Sequence, residues 1–450
     1  MKNFRHKLKC EFRNFVKLNF GPDCQGVFHC FIVYYVLFLS LVRSWCLKKI
    51  SYSKHCEIFG LRIFAFVELK VLIMQSKGQY TYAEIMQQPR VWKQQYDRIA
   101  ARRQEIETFV RSHIERGYRV LFTGAGTSAY IGDALVPAVA GSLFEGAAAV
   151  PTTDIITHPA SWFTPGRNVL LVSFARSGNS PESLGAIKLA DRLGGERVAH
   201  IFITCNAEGR LARIAAAHRD SLLLLLPAET DDRSLAMTSS FSTMLLTALL
   251  VSRIDRIGGD AAAVECLANQ TARALETYDS RIAAVARRNF SRAVFLGSGA
   301  LKGIAEESHL KLQELTDGGV MCGFDSFLGF RHGPKAVVKE DSLLVYLVSR
   351  DPAVRRYEED LIRQIDANNR TAAVVAVSAE PYAVGGVSFD LNVVLGGGDT
   401  GVYGCIPYVF TAQLLGYYKS LDRGLNPDSP SVSGNIHRVV EGVTIYPYER

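Results

Sequence analysis

Glu307, Lys311 and Glu314 stand at i, i+4 and i+7 of segment 303–315, so a helix there sets all three on one face. A carboxylate beside a lysine in a cleft can carry a proton for chemistry next to a carbonyl. On a solvated surface the same spacing is an ordinary ladder of ion pairs. Leu310 and Leu312 bracket Lys311, and the segment leaves a Gly297-Ser298-Gly299 turn, which argues for a cleft. His332 follows, held on a rigid turn by Gly333-Pro334 with Arg331 beside it, a placement open to catalysis or to simple exposure. Upstream, Ser177-Gly178-Asn179-Ser180 precedes Pro181 and Glu182, which suit the first turn of a helix. Such a turn aims hydroxyls and backbone N–H groups at one point and can hold a phosphate with neither metal nor lysine. A second turn of this kind, TGAGTSA (123–129), carries Thr127 and Ser128. Ser239-Ser240 precedes a long apolar segment and either caps a helix or reaches a ligand.

These residues need a scaffold of strands and helices. Residues 168–174 are near-continuous apolar and β-branched, as in a central parallel strand covered on both faces. Residues 119–122 read as another strand, and Ile131, Leu135 and Val139 follow its glycine turn at helical spacing. The Gly-x-Gly lacks the third glycine and the later acid of the dinucleotide fingerprint, which disfavours a dinucleotide cofactor. The pattern then repeats: RVLFTGAG (119–126) is echoed by RAVFLGSG (292–299), and in each half an apolar strand starts 50 residues after the first, at Leu170 and Leu344. A third strand follows near Ile201 and Val374. A tandem of two α/β domains, each with a parallel sheet, is the expectation. Only the first half has the serine-rich turn after its second strand, so one phosphate site per chain is expected.

Composition divides the chain near Met74. Residues 1–73 hold one alanine and five of nine cysteines, and the other 377 residues hold 45 alanines. The first segment has 12 Lys+Arg against 4 Asp+Glu and the body 39 against 40, so the body gives no electrostatic case for nucleic acid. The apolar run Val27–Val42 is short for a membrane span of about 20 residues, and no small-residue cleavage site follows it. The expectation is that 1–73 is upstream sequence translated in frame with a native start at Met74, the main alternative being a short anchor. Cys205, Cys266, Cys322 and Cys405 show no zinc spacing, which suits a reducing cytoplasm and no structural metal.

Taken together, TGAGTSA (123–129), SFARSGNSPES (173–183), ESHLKLQEL (307–315) and FRHGPK (330–335) resemble the sugar isomerase (SIS) domain family. PTTD (151–154), PAETD (227–231), AMTSS (236–240) and SGNIHRVV (433–440) add to a resemblance that spans roughly 78–450 and is nearest to the bacterial galactosamine-6-phosphate deaminase/isomerases. The isomerase half of glucosamine-6-phosphate synthase is related. The resemblance implies two tandem doubly wound, flavodoxin-like parallel-sheet domains: a helical segment at 74–117, domains at 118–257 and 286–425, a connecting helix at 258–285 and an active-site tail at 426–450. It implies that Thr127, Ser128, Arg176, Ser177, Gly178, Asn179 and Ser180 hold the sugar phosphate. Glu314 would move the proton between C1 and C2, Lys311 would stand beside it, and His332, supplied by a neighbouring subunit, would open the sugar ring. Ser239, Ser240, Arg331 and His437 are further substrate-contact candidates.

Two departures stand out. Ala175-Arg176 replaces the synthase's serine-glutamine pair and adds positive charge at the phosphate, and no lysine follows Lys419 to form an imine. No glutaminase-like sequence precedes the body, so ammonia is not expected to come from glutamine. The implied reaction is deamination of galactosamine 6-phosphate to tagatose 6-phosphate by a cytoplasmic homo-oligomer that needs no cofactor, metal, nucleic acid or membrane. The alternatives are a plain aldose–ketose isomerase and a sugar-phosphate-sensing module.

Overall fold

In the computed structural model, residues 77–450 are described, apart from 369, 441 and 450; the expectations for 1–73 lie outside them. Three helices open this part: α1 (Gln79–Met86), α2 (Gln88–Ala101) and α3 (Arg103–Glu115). The first sheet and its helices follow as β1 (Arg119–Thr123), α4 (Thr127–Ala138), β2 (Ala148–Ala149), α5 (Thr152–Thr157), β3 (Val169–Ala175), α6 (Pro181–Gly194), β4 (Val198–Thr204), α7 (Arg210–Ala217) and β5 (Ser221–Leu225). Helices α8 (Ser239–Ser252) and α9 (Ile257–Ala286) lead into the second half. There β6 (Arg292–Gly297), α10 (Ala300–Leu315), β7 (Met321–Asp325), α11 (Phe327–Phe330), β8 (Ser342–Leu347), α12 (Pro352–Asn368), β9 (Ala373–Ser378), β10 (Leu391–Val394) and α13 (Val409–Asp422) complete it.

Both sheets have five strands, all parallel, in the orders β2-β1-β3-β4-β5 and β10-β9-β8-β6-β7. Read from β7, the second order repeats the first, and both match the flavodoxin-like doubly wound arrangement. The repeat reaches the backbone. Gly126 and Gly299, each just before the helix that follows the first long strand, take φ/ψ of 54/−130° and 58/−128°. Positive φ of that kind is strained for any residue with a Cβ.

Strand alternation sorts the side chains. Val120, Phe122, Leu170, Val172 and Phe174 point to one face of the first sheet, and Phe295, Leu343 and Val345 to one face of the second. These two inner faces share one apolar core with α8, α9 and α13. Helix α8 is buried along its whole length, as its all-round apolar sequence requires. Leu121, Val169 and Leu171 line the outer face of the first sheet, and Val294, Leu296 and Leu344 that of the second. No helix among the described residues is long and apolar enough to cross a membrane.

Candidate active site

In doubly wound sheets, ligands sit outside the carboxyl ends of the strands where the order reverses. In the first sheet that point lies between β1 and β3. The turn from β1 into α4 brings Thr127 and Ser128 there, and the turn from β3 into α6 brings Ser177 to Ser180. Ser180 caps α6: its Oγ accepts from the Ser183 N–H at 3.3 Å and meets Ser183 Oγ at 2.7 Å. Ser177 Oγ accepts from the Asn179 N–H at 3.2 Å, leaving its O–H free to donate to a ligand. The loop after β4 braces this turn from behind. Asn206 Nδ2 donates to the Ser177 carbonyl at 3.1 Å, the Leu211 N–H donates to the Gly178 carbonyl at 2.9 Å, and Asn179 Oδ1 accepts from the Arg210 N–H at 3.0 Å. The Asn179 side chain is thereby occupied in capping α7.

The second half contributes the acid–base group. Glu307, Lys311 and Glu314 share a face of α10, and it is buried rather than solvated: Glu307 and Lys311 have no exposed side-chain surface and Glu314 keeps 15 %. Lys311 Nζ has three acceptors around it, Thr127 Oγ1 at 3.0 Å, Glu307 Oε1 at 3.2 Å and Glu314 Oε1. Burial acts against the charge on Lys311, but the two acids outweigh it and raise its pKa above the usual lysine value. Burial pushes the Glu307 carboxyl up to about 8, against the opposing pull of Lys311. The site therefore sets a partly exposed carboxylate beside a buried ammonium, joined through Thr127 to a hydroxyl-lined turn. This arrangement suits proton transfer on a molecule anchored by its phosphate.

The structure places the other candidates differently. Both Nη atoms of Arg176 bond backbone carbonyls. Nη1 donates to the carbonyls of Ser234 at 3.2 Å and Leu235 at 3.0 Å, and Nη2 to that of Arg438 at 2.7 Å. The Nη2 bond ties Arg176 to the C-terminal tail. Ser239 and Ser240 serve Asp232, whose carboxylate accepts from their hydroxyls at 2.5 and 2.6 Å and from the N–H groups of Thr238 and Ser240 at the start of α8. The acid, not the serine pair, supplies that helix cap.

His332 is exposed on a turn. The preceding α11 packs Phe327 and Phe330 with Leu361 and Ile362 of α12 on the outer face of the second sheet, whereas α10 packs on the inner face. One chain thus leaves His332 on the other side of the sheet from Glu314. Arg331 keeps a buried Nε with no partner, and His437 is exposed on the tail.

Sequence reasoning missed Glu84, Asp232 and Arg438. Glu84 Oε1 accepts from the N–H groups of Arg233 and Ser234 at 2.6 and 3.2 Å, and its other oxygen meets Ser234 Oγ. Burial, then the charge of Asp232, raises its pKa to about 7. Arg438 Nη2 reaches Asp231 Oδ1 at 2.6 Å and Nε the Asp232 carbonyl at 2.9 Å. The acids at 231–232 followed seven and eight residues later by serines were the one available signal.

Among the described residues, Asp191, His200 and His218 come close enough to suggest a metal centre. The hydrogen bonds point elsewhere. The Asp220 N–H donates to His218 Nδ1 at 3.2 Å, which places the ring proton on Nε2, and that atom faces Asp191 Oδ1 at 3.3 Å. A metal would need the Nε2 lone pair that this tautomer lacks.

Comparison with known proteins shows the family. The SIS domain family matches residues 113–252. The chain is 45 % identical to the AgaS protein of Streptomyces coelicolor, over 83 % of this chain and 97 % of that one. It is 38 % identical to the D-galactosamine-6-phosphate deaminase AgaS of Escherichia coli, again over 83 % and 97 %. The crystal structure of tagatose-6-phosphate ketose/aldose isomerase from Escherichia coli superposes with a TM-score of 0.76 at 36 % identity, covering 83 % of this chain and 98 % of that one. With its paired five-stranded sheets and hydroxyl-lined turns, this chain belongs to the AgaS family of SIS-domain proteins.

Proposed function

We propose that this chain converts D-galactosamine 6-phosphate and water to D-tagatose 6-phosphate and ammonia. The observation that carries the reading is the contact of Lys311 with both Glu314 and Thr127, which sets a proton carrier at the phosphate-binding turns. Identity to the Escherichia coli D-galactosamine-6-phosphate deaminase supports the choice of substrate. With the phosphate on Thr127, Ser128, Ser177 and Ser180 and the ring opened, Glu314 takes the C2 proton of the aldehyde form. The electron pair moves into C1–C2 as O1 takes a proton, giving an enolamine, and protonation at C1 with loss of an N–H proton leaves a C2 imine. Water adds to C2, the nitrogen takes a proton, ammonia leaves and the C2 ketone forms. Each step moves a proton or adds water, so the scheme calls for no electron carrier. A positioned acid–base group contributes about 10²–10⁴ in rate.

Ring opening needs a second group, and the reading assigns it to His332 of a second copy of the chain. The position of His332 on the outer side of the second sheet favours delivery to another protomer's site over its own. The free thiols of Cys205, Cys266, Cys322 and Cys405 favour a reducing cytoplasm. The test is ammonia release from galactosamine 6-phosphate and glucosamine 6-phosphate measured side by side. Release from the galacto sugar supports the reading, and ketose formation without ammonia contradicts it.

A further inference from the structure

Glu307 has no part in the scheme above, yet it is fully buried, and neither of its carboxyl oxygens has a hydrogen-bond donor of good geometry. Its nearest charged neighbour is Lys311 Nζ at 3.2 Å. A lysine ammonium has three N–H donors on a flexible stem of four carbons. Here three oxygens surround it, from Thr127, Glu307 and Glu314. Without Glu307, the ammonium would be left to Thr127 and Glu314 alone. It would then close on Glu314, the group that has to turn toward the substrate.

We propose that Glu307 is a positioning residue: it holds the Lys311 ammonium between Thr127 and Glu314 so that Glu314 stays free to reach the substrate carbon. The inference rests on the deaminase reading for the identity of that carbon. The groups facing Glu307 are Lys311 and Glu314 from α10 and Thr127 from α4, with the Tyr130 phenol of α4 within electrostatic reach. Helix α13, which also packs on α10, presents Gly416 to the Lys311 carbonyl.

Burial raises the Glu307 carboxyl to about 8, so below that pH it is neutral and faces Lys311 through an uncharged oxygen. Above it, the new charge draws the ammonium away from Glu314. Wild-type kcat therefore rises as pH rises through about 8, because Glu314 is freed.

Two variants test this. Glu307→Gln keeps the acceptor and removes the ionisation, so its kcat should lose the step near pH 8. Glu307→Leu removes the acceptor and should lower kcat by about tenfold or more, with KM within about twofold. Wild-type kcat in Glu307→Leu, or an unchanged pH profile in Glu307→Gln, overturns the proposal. Wild type assayed alone tests the reaction itself. The Lys311 ammonium, followed by NMR in 15N-lysine-labelled wild type and Glu307→Gln, reads the positioning even without turnover. A Lys311 resonance that titrates identically in both also overturns it.

Discussion

Lys311 Nζ lies 3.0 Å from Thr127 Oγ1, and this hydrogen bond joins the helix that opens the switch point of the first sheet to the helix that carries Glu314 in the second half. Neither half holds both parts of the site. The contact depends on how closely α10 approaches α4, and Gly303 sets that approach: a Cβ there would stand 2.3 Å from the Ala134 backbone nitrogen.

Gly303→Val should therefore force the helices apart. Overpacking of this kind costs roughly 1–3 kcal/mol, and the longer Lys311–Thr127 distance should lower kcat as well. Thermal melts and steady-state rates on the same preparation check both. Wild-type values in each would show that the close approach is not needed.

Ser177→Ala removes a free hydroxyl donor at the phosphate turn and should raise KM by roughly tenfold, the worth of a hydrogen bond to a charged group. Ser180→Ala should raise KM too and also cost about 1 kcal/mol of stability, because Ser180 caps α6. Combining the two should raise KM further. A wild-type KM in the double variant would remove the phosphate from this turn.

The two turns and the repeat were legible in the sequence because strand, glycine turn and helix follow one another within a dozen residues. The echo of 119–126 in 292–299 extends to matching φ/ψ at Gly126 and Gly299. The face of α10 was legible as a site only through Leu310, Leu312 and the preceding glycine turn, since i, i+4, i+7 charges look alike on a solvated helix and a buried one. The carbonyl partners of Arg176 were not legible, because they come from residues 234, 235 and 438, distant in the chain. Asp232, Glu84 and Arg438 escaped for the same reason, as their roles depend on partners distant in the chain.

Glu84 gives a stability signature with a defined sign. Its pKa stands near 7 in the folded chain against 4.5 as the reference value. Between those values the folded chain keeps a proton that the unfolded chain has lost, so this group's contribution is full below pH 4.5 and fades as pH rises to about 7. Glu84→Gln should remove that decline, worth on the order of 1–3 kcal/mol. Melting temperatures of both proteins at pH 5 and 7.5 decide it, and parallel curves would contradict the assignment.

If a second copy supplies His332, inactive Glu314→Gln and His332→Ala subunits should regain part of the activity when mixed, since some hybrid sites then hold both groups. No recovery after verified subunit exchange would mean that each site is built from one chain.

The most direct measurement is ammonia release from galactosamine 6-phosphate by wild type and Glu314→Gln. Wild type should release one ammonia per tagatose 6-phosphate. Glu314→Gln, which keeps the shape and loses the base, should bind the sugar phosphate with kcat lower by about 10² or more. Undiminished ammonia release by Glu314→Gln would contradict the assignment of Glu314 as the proton carrier.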